Sequence, residues 1–217
     1  MLTWNLFHGR AVPPAGVPLL GAFADALAGW DWDVALLQEV PPWWPPALAR
    51  ASGATAARAA LTSRNAGLAV RRAVAVRAPD AIKSNGGGAN AILVRDDQVL
   101  EHRRETLRWW PERRVVHGLR LASGAWVVNL HAAAHVEARA ASDIAQAGRA
   151  ALRWSGGGPV VLGGDLNHRS PRIDGFAMAG GRTIDFVFVH ELQGVGPARV
   201  LEAGRLSDHA PVVVQVG

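Results

Sequence analysis

The chain has 217 residues, of which 49% are hydrophobic, and a formal net charge of +5 at pH 7. The absence of cysteine excludes a disulfide framework, a cysteine zinc site and a thiol nucleophile. The moderate positive charge is compatible with phosphate-bearing partners, because nearly all of the 23 basic residues are arginines and arginine binds phosphate in a bidentate manner.

The length allows one large domain, since sandwich folds reach this size as a single unit. The motifs described below are spread over both halves, so we expect one domain over residues 1–217. Polar residues interrupt each apolar stretch before about 18 residues, which predicts no transmembrane segment. The first predicted strand begins at Leu2 and leaves no room for a signal peptide, so the expected location is cytoplasmic. The sequence indicates no protein partner.

Apolar runs typical of buried strands recur along the chain, and many of them end in polar residues or glycine. The predicted strands are 2–7, 34–38, 68–76, 91–95, 114–121, 126–131, 159–162, 184–189 and 211–216. Helical spacing predicts helices over 19–29 and 136–154. This order favours two sheets packed face to face with helices outside, although the pattern alone leaves an ordinary α/β arrangement open. The glycine runs 86–88 and 156–158 lack the ending of a P-loop, so we interpret them as turns.

Polar groups suited to metal and phosphate chemistry follow the ends of several predicted strands. The motifs, in chain order, are Trp4-Asn5-Leu6, Gln38-Glu39-Val40, Gly163-Gly164-Asp165-Leu166-Asn167, Thr183-Ile184-Asp185-Phe186 and Ser207-Asp208-His209-Ala210-Pro211. Together they resemble the endonuclease/exonuclease/phosphatase superfamily of metal-dependent phosphoesterases, over residues 4–211. The resemblance implies an α/β four-layer sandwich, in which two packed mixed β-sheets are flanked by helices.

The first candidate site is a metal centre at Glu39. Glu39 follows the run 34–38, so its carboxylate should emerge at the end of a strand. Oxygen donors of this kind suit Mg²⁺ or Mn²⁺, which takes few protein ligands. Taken alone, a glutamate in this position is usually a solvated strand end. The resemblance implies that Glu39 is the principal ligand of this cofactor, with Asn5 and Asp208 near it.

Asp165 and Asn167 form a second candidate pair. They lie two residues apart, so in an extended chain their side chains leave on the same face. The carboxylate could then orient or deprotonate water while the amide donates to a phosphate oxygen, which are the roles that the resemblance implies. Without the neighbouring motifs, Asp-x-Asn would be interpreted as a turn signal.

Asp185 and His209 are interpreted as a catalytic dyad. A carboxylate bonded to one imidazole nitrogen fixes the tautomer and favours the protonated ring. The resemblance implies this pairing, and it leaves open whether His209 is a general base or stabilises the phosphate. The alternative is that His209 is a buried structural histidine.

Four further residues are candidates for the site. His131 ends the strand 126–131 and matches a second imidazole of pancreatic-type deoxyribonucleases and the sphingomyelinase-like branch. Abasic-site endonucleases generally have Tyr there, and this chain contains no Tyr. Asn90 resembles a substrate-binding Asn of the lipid-phosphodiesterase branch. Arg113 and Arg114 enter a strand, and alternation predicts that one of them points toward the site.

Two tryptophan pairs lie in proline-marked loops: Trp43-Trp44 and Trp109-Trp110. The simpler interpretation is that such loop aromatics fold back onto the core. The alternative is a stacking surface for substrate bases, because Trp43 lies only four residues beyond Glu39.

The sequence therefore predicts a divalent-metal-dependent hydrolase of phosphodiester bonds, with a nuclease acting on DNA or RNA as the first hypothesis. A phosphatase or lipid phosphodiesterase with the same centre is the alternative. About 17 residues separate Asn167 from Asp185, where DNA-repair members of the superfamily carry insertions that grip duplex DNA. This short connection argues against tight duplex binding. An inactive binding module is disfavoured because the carboxylates, amides and imidazole of all the motifs are present.

Overall fold

The computed structural model describes residues 1–82 and 87–217, which form two mixed six-stranded sheets. The first sheet has the order β11-β12-β1-β2-β4-β3 and the second β5-β6-β7-β8-β10-β9. The strands of the first sheet are β1 (Leu2–Asn5), β2 (Val34–Val40), β3 (Ala56–Leu61), β4 (Ala89–Val94), β11 (Arg199–Val200) and β12 (Val212–Val213). Those of the second are β5 (Val99–Arg108), β6 (Arg114–Leu121), β7 (Trp126–His131), β8 (Val160–Asp165), β9 (Ala177–Arg182) and β10 (Asp185–His190).

Helices cover the outer faces of both sheets. The covering helices are α1 (Leu20–Gly29), α2 (Pro45–Ser52) and α5 (Glu137–Ser155). Helices α3 (Leu68–Arg77) and α4 (Pro79–Ile82) bury no residue, and a short 3₁₀ turn spans Phe7–Gly9. Helices α1 and α2 pack on the first sheet, whereas the Ala- and Ile-rich face of α5 packs on the second. No helix of the described part of the chain is long and apolar enough to cross a membrane.

Branched aliphatic side chains fill the space between the sheets, including Leu36, Ile92 and Val161, each at most 2% exposed. A polar bridge interrupts this layer. Asn129 donates to the backbone carbonyls of Leu37 and Ala91, both at 2.9 Å, and accepts a 2.8 Å hydrogen bond from Gln38 Nε2. Because buried polar groups are stable only when paired, this bridge fixes β7 of one sheet against β2 and β4 of the other.

The predicted four-layer α/β sandwich is confirmed, together with the central strands and the helices predicted over 19–29 and 136–154. One predicted strand is wrong: residues 68–76 belong to helix α3, which has no buried residue. Three closely spaced valines imitate a strand there. Ala and Arg nevertheless favour helix, because no described strand pairs with the segment. The run 156–158 is a turn after α5, whereas Gly86 lies outside the described residues.

Four strands were absent from the prediction, namely β3, β5, β9 and β11. All four lie at the edges of the two sheets. Edge strands are half exposed, so their sequences need no continuous apolar run. The β9 sequence contains two glycines, and β5 contains six charged or imidazole side chains among ten residues.

Candidate active site

Strand topology brings the predicted motifs to one end of the interface between the sheets. Strands β1 and β2 are parallel, so Asn5 and Glu39 lie at the same end of the first sheet. Strands β7 and β8 are also parallel, so their last residues, His131 and Asp165, lie together at one end of the second sheet. Strand β10 runs antiparallel to β8 and pairs Asp185 with Asp165. The sheets meet at this end, where Asn5 Nδ2 donates to Asp165 Oδ2 at 2.9 Å.

A glycine before Asp165 permits this convergence. Gly164 has φ +143°, and a Cβ atom there would collide with the backbone carbonyl of Leu130. Only glycine therefore lets β8 approach β7 so closely. The close approach places Asp165 Oδ2 3.4 Å from His131 Nε2.

Asp165 is the centre of the cluster and is only 2% exposed. Its Oδ1 accepts a 3.0 Å hydrogen bond from the backbone N–H of Asn167, and its Oδ2 lies 3.8 Å from His209 Nε2. Burial, reinforced by the charge of Asp185, raises the pKa of Asp165 to about 7. The buried setting therefore disfavours the charged form of Asp165, while the neighbouring His209 partly offsets this effect.

Asp185 and His209 are in contact, with Asp185 Oδ2 2.9 Å from His209 Nδ1. Burial opposes a charge on His209, but Asp185, Asp165 and Asp208 together raise its pKa to about 9. The backbone carbonyl of His209 accepts a 2.9 Å hydrogen bond from Trp4 Nε1. Ser207 Oγ donates to the Asn5 carbonyl at 2.6 Å and accepts from the His209 N–H at 3.1 Å. Trp4 and Ser207 thus fix the loop that carries Asp208 and His209.

Glu39 lies on the other side of the cluster and has φ +50°, where the pairing of β2 with β4 shifts register. Its Oε2 lies 3.0 Å from Nε2 of His8, and its Oε1 lies 4.0 Å from His131 Nε2. Burial would raise the pKa of Glu39, but the hydrogen bond to His8 and the nearby imidazoles lower it to about 2.

His8 is a site residue that the sequence prediction missed. It follows β1 in the 3₁₀ turn, has φ +55°, and its Nδ1 is buried without a partner among the described residues. The next residue, Gly9, must be glycine because the Trp44 ring occupies the space that a Cβ atom at this position would need. The available signal was a histidine three residues after the strand-ending Asn5.

Both predicted arginines line the same pocket of about 50 Å³ as Glu39 and His131. Arg114 is 6% exposed and pairs with Glu112 at 2.5 Å. Burial and the charge of Arg114 hold the pKa of His131 well below its usual range. Alternation predicted that only one arginine would face the site, but Arg113 precedes the regular strand and also reaches the pocket.

Asn90 is buried on β4, where its Nδ2 donates to the Val115 carbonyl at 3.2 Å and its Oδ1 has no described partner. The extended geometry predicted for Asp165 and Asn167 is wrong, because the strand ends at Asp165 and Asn167 has φ +48°. The Asn167 amide donates instead to the Ala132 carbonyl at 3.1 Å.

The two tryptophan pairs differ. Trp44 is 7% exposed and packs in the core against Phe23, as the simpler interpretation predicted, whereas Trp43 is half-buried beside it. That interpretation is wrong for Trp109 and Trp110, which are 72% and 82% exposed. The guanidinium of Arg113 lies 4.9 Å from the Trp109 ring centroid.

Two groups of residues could hold a divalent cation. Ligand atoms of Asp165, Asp185 and His209 lie within 4.8 Å of one another, and the 2.9 Å contact between Asp185 Oδ2 and His209 Nδ1 already joins two of these residues. The ligands predicted from the sequence, Glu39, Asn5 and the exposed Asp208, also carry oxygen donors, and the Oδ1 of Asn5 accepts a 2.9 Å hydrogen bond from the Phe7 N–H. A donor set of carboxylate and amide oxygens, with no thiolate, fits a hard cation such as Mg²⁺ or Mn²⁺.

Comparison with solved structures shows the same fold. An endonuclease/exonuclease/phosphatase from Beutenbergia cavernae is 20% identical with a TM-score of 0.70, covering 99% of this chain and 70% of that chain. A mannosyl-6-phosphatase from Bacteroides thetaiotaomicron is 14% identical with a TM-score of 0.70, covering 100% and 99%. TDP2 from Caenorhabditis elegans is 16% identical with a TM-score of 0.68, covering 97% and 71%.

No curated protein matches the sequence of the chain. The model of the Endonuclease/Exonuclease/phosphatase family, by contrast, matches residues 2–209. This match spans every motif from Asn5 to His209, including both residues of the dyad. The chain therefore belongs to the endonuclease/exonuclease/phosphatase family, whose members hydrolyse phosphoesters.

Proposed function

We propose that the chain is a Mg²⁺- or Mn²⁺-dependent phosphodiesterase that acts as a nuclease on DNA or RNA. The observation that carries this proposal is the convergence of Asp165 with Asn5, His131 and His209 at one end of the sheet interface. Carboxylate, amide and imidazole groups in this arrangement meet the needs of water activation and phosphate stabilisation.

The residues divide into three roles in this proposal. Glu39, Asn5 and Asp208 hold the cation, which when bound polarises the phosphoryl group. Asp165 orients water and accepts its proton, and Asn167 with His131 fixes the position of the phosphate. Asp185 orients His209, which donates a hydrogen bond or a proton to a phosphate oxygen.

Substrate contacts come from the basic and aromatic residues around the centre. Arg113 and Arg114 line the pocket beside Glu39 and suit the nonbridging phosphate oxygens. Asn90 is buried on β4, and Trp43 with Trp44 lines a second pocket that shares His8 with the pocket beside Glu39. Because Trp44 is buried, Trp43 is the member of the pair that would contact substrate.

A phosphatase is the second candidate function. It is favoured by the likeness in fold and length to the mannosyl-6-phosphatase and by the small pocket beside Glu39. A substrate panel separates the candidates: single-stranded and plasmid DNA, RNA, sphingomyelin, mannose 6-phosphate and bis-p-nitrophenyl phosphate. Faster hydrolysis of the sugar phosphate or the lipid than of either nucleic acid would contradict the nuclease proposal.

Metal removal tests the centre itself. We expect EDTA to abolish hydrolysis and Mg²⁺ or Mn²⁺ to restore it, and Glu39→Gln to lower turnover by about 100-fold or more. Glu191→Gln, at an exposed glutamate that follows β10 at the end opposite Asp185, is the matched control and should retain wild-type turnover. Full activity after exhaustive chelation would contradict a metal-dependent mechanism.

A further inference from the structure

A second pocket, of about 210 Å³, lies beside the catalytic centre. Its lining includes Leu19, Trp43, Arg72, Ala75 and Ile82, and it shares His8 with the pocket that contains Glu39. Because Nε2 of His8 lies 3.0 Å from Glu39, the pocket begins one side chain away from the proposed metal ligand. We call it the side pocket.

We propose that the side pocket binds the aromatic base of a nucleotide whose phosphate occupies the catalytic centre. This inference rests on the proposed function and specifies its substrate as an unpaired nucleotide. The first argument is continuity. A phosphate placed between Glu39 and Asp165 has His8 as its neighbour, so an organic group on that phosphate can enter the side pocket directly.

The chemistry of the lining favours a planar aromatic group. Most of the wall is aliphatic, and among the described residues that line it the polar side chains are those of His8 and Arg72. Indole, guanidinium and imidazole groups all stack on the faces of bases. An aliphatic chain would gain from apolar burial alone, whereas a base would gain both burial and stacking.

Contacts with the core hold Trp43 in place. Trp44 packs in the core against Phe23, and its ring occupies the space that a side chain at Gly9 would need. Trp43 packs against the same core cluster while remaining half-buried. A ring held in this way loses little conformational entropy when a base stacks on it.

The size of the side pocket limits what can enter. Pockets for drug-sized ligands measure about 300–1,000 Å³, and the side pocket is smaller, so it has room for one base rather than a longer segment. A base in a pocket must leave its stack, which costs least in a single strand or a free nucleotide. The side pocket therefore favours single-stranded substrates over duplexes.

Helix α3 provides both a test position and its control. Ala75 lies on the side pocket, and Val70, on the same helix, is 70% exposed. Ala75→Trp would fill the side pocket with an indole ring. Val70→Trp would add the same ring to the solvent face of α3.

The test measures ligand binding by isothermal titration calorimetry in the presence of Mg²⁺. Each ligand is recovered after the titration and checked for hydrolysis. The test compares thymidine 5′-monophosphate with ribose 5-phosphate, which lacks the base, and with hexyl phosphate. We expect the thymidine compound to bind about tenfold more tightly than ribose 5-phosphate, because it alone has a base that can stack on the wall of the side pocket. Ala75→Trp should remove this preference, and Val70→Trp should retain it.

A second variant protects the test against misfolding. Trp43→Leu keeps an apolar side chain at the wall but removes the stacking surface, so it should also weaken the preference for the thymidine compound. Equal binding of the thymidine and ribose compounds to the wild-type protein would overturn the inference. Equal binding of hexyl phosphate and the thymidine compound would overturn it as well, because the side pocket would then accept any apolar group.

Hydrolysis of methyl p-nitrophenyl phosphate by the wild-type protein separates this inference from the proposed function. If the ester is hydrolysed and the base makes no difference to binding, the side pocket is wrongly assigned and the proposed function stands. If no phosphoester of the panel is hydrolysed, the proposed function fails whatever the calorimetry shows.

Discussion

The strand ends that form the proposed catalytic cluster and the helical segment α3–α4 lie close together, yet they are built differently. Every residue of β8 and all but the last residue of β10 are buried, and the side chains that leave these strands are held by hydrogen bonds. Helices α3 and α4 bury no residue. The proposed catalytic side chains are thus carried by the buried sheets, whereas one wall of the side pocket is formed by the exposed helix α3.

The difference indicates how each region should respond to substitution. A change at the strand ends should alter hydrolysis of every substrate, because the same groups surround each phosphate. A change on the wall of the side pocket formed by α3 should alter the choice between substrates, because that wall contacts only the organic group. Stability should likewise depend on the sheets far more than on α3.

The largest expected effect concerns the dyad. Asp185→Asn and His209→Ala should each lower turnover of bis-p-nitrophenyl phosphate by about 100- to 10,000-fold, the range for a lost acid–base group. Since Asp185 acts through its 2.9 Å contact with His209, the double variant should be little worse than either single variant.

Metal affinity is the control for the dyad, because the proposed ligands lie at Glu39 and its neighbours. It should change little in either variant when measured by calorimetry. Losses that multiply in the double variant, or loss of metal binding in Asp185→Asn, would give Asp185 a role independent of His209.

The contact between the buried His117 and the exposed His102 should make the sheets sensitive to acid. His117 Nδ1 lies 3.2 Å from His102 Nε2, and its Nε2 is buried without a described partner. Burial, with a smaller contribution from His102, lowers the pKa of His117 to about 3. Burial and the nearby Arg104 and Arg58 also lower the pKa of His102.

The sign of the effect follows from proton binding. Below about pH 6.5 the unfolded chain binds a proton at His117 that the folded protein rejects until about pH 3. The free energy of unfolding should therefore fall as the pH falls through this window, by about 2 to 3 kcal/mol from this residue between pH 6.5 and 4.5.

Urea unfolding at the two pH values measures this loss. His117→Gln should show a smaller loss of stability than the wild-type protein, whereas the exposed control His135→Gln should show the wild-type loss. An unchanged pH dependence in His117→Gln would mean that groups other than His117 determine acid sensitivity.

The two regions also differ in how far the sequence predicted them. The central strands carry continuous apolar runs that end in Asn5, Glu39 or Asp165, so the pattern indicated both the sheets and the residues at their ends. Edge strands such as β3 and β9 lack such runs because one side of each is open to solvent. Helix α3 was mistaken for a strand because its valines repeat at close spacing although none is buried.

Local conformation explains the remaining errors in the site. The positive φ angles of His8, Glu39 and Asn167 arise from tertiary contacts that no periodicity reveals. They bring His8 to Glu39 and turn the Asn167 amide toward Ala132. Sequence motifs therefore identified the strand-end residues, while the directions of the side chains depended on the loops between strands.

The smallest expected effect compares the same substitution in both regions. Val94 on β4 is fully buried between the sheets, and Val70 on α3 is 70% exposed. Val94→Ala removes two buried methyl groups and should lower the free energy of unfolding by about 1.5 to 3 kcal/mol. Val70→Ala removes the same groups from solvent, where Ala also has the higher helix propensity, so its effect should stay within about 0.5 kcal/mol. Chemical denaturation of both variants measures the contrast, and a loss at Val70 as large as that at Val94 would show that α3 is packed against the sheets as firmly as they are against each other.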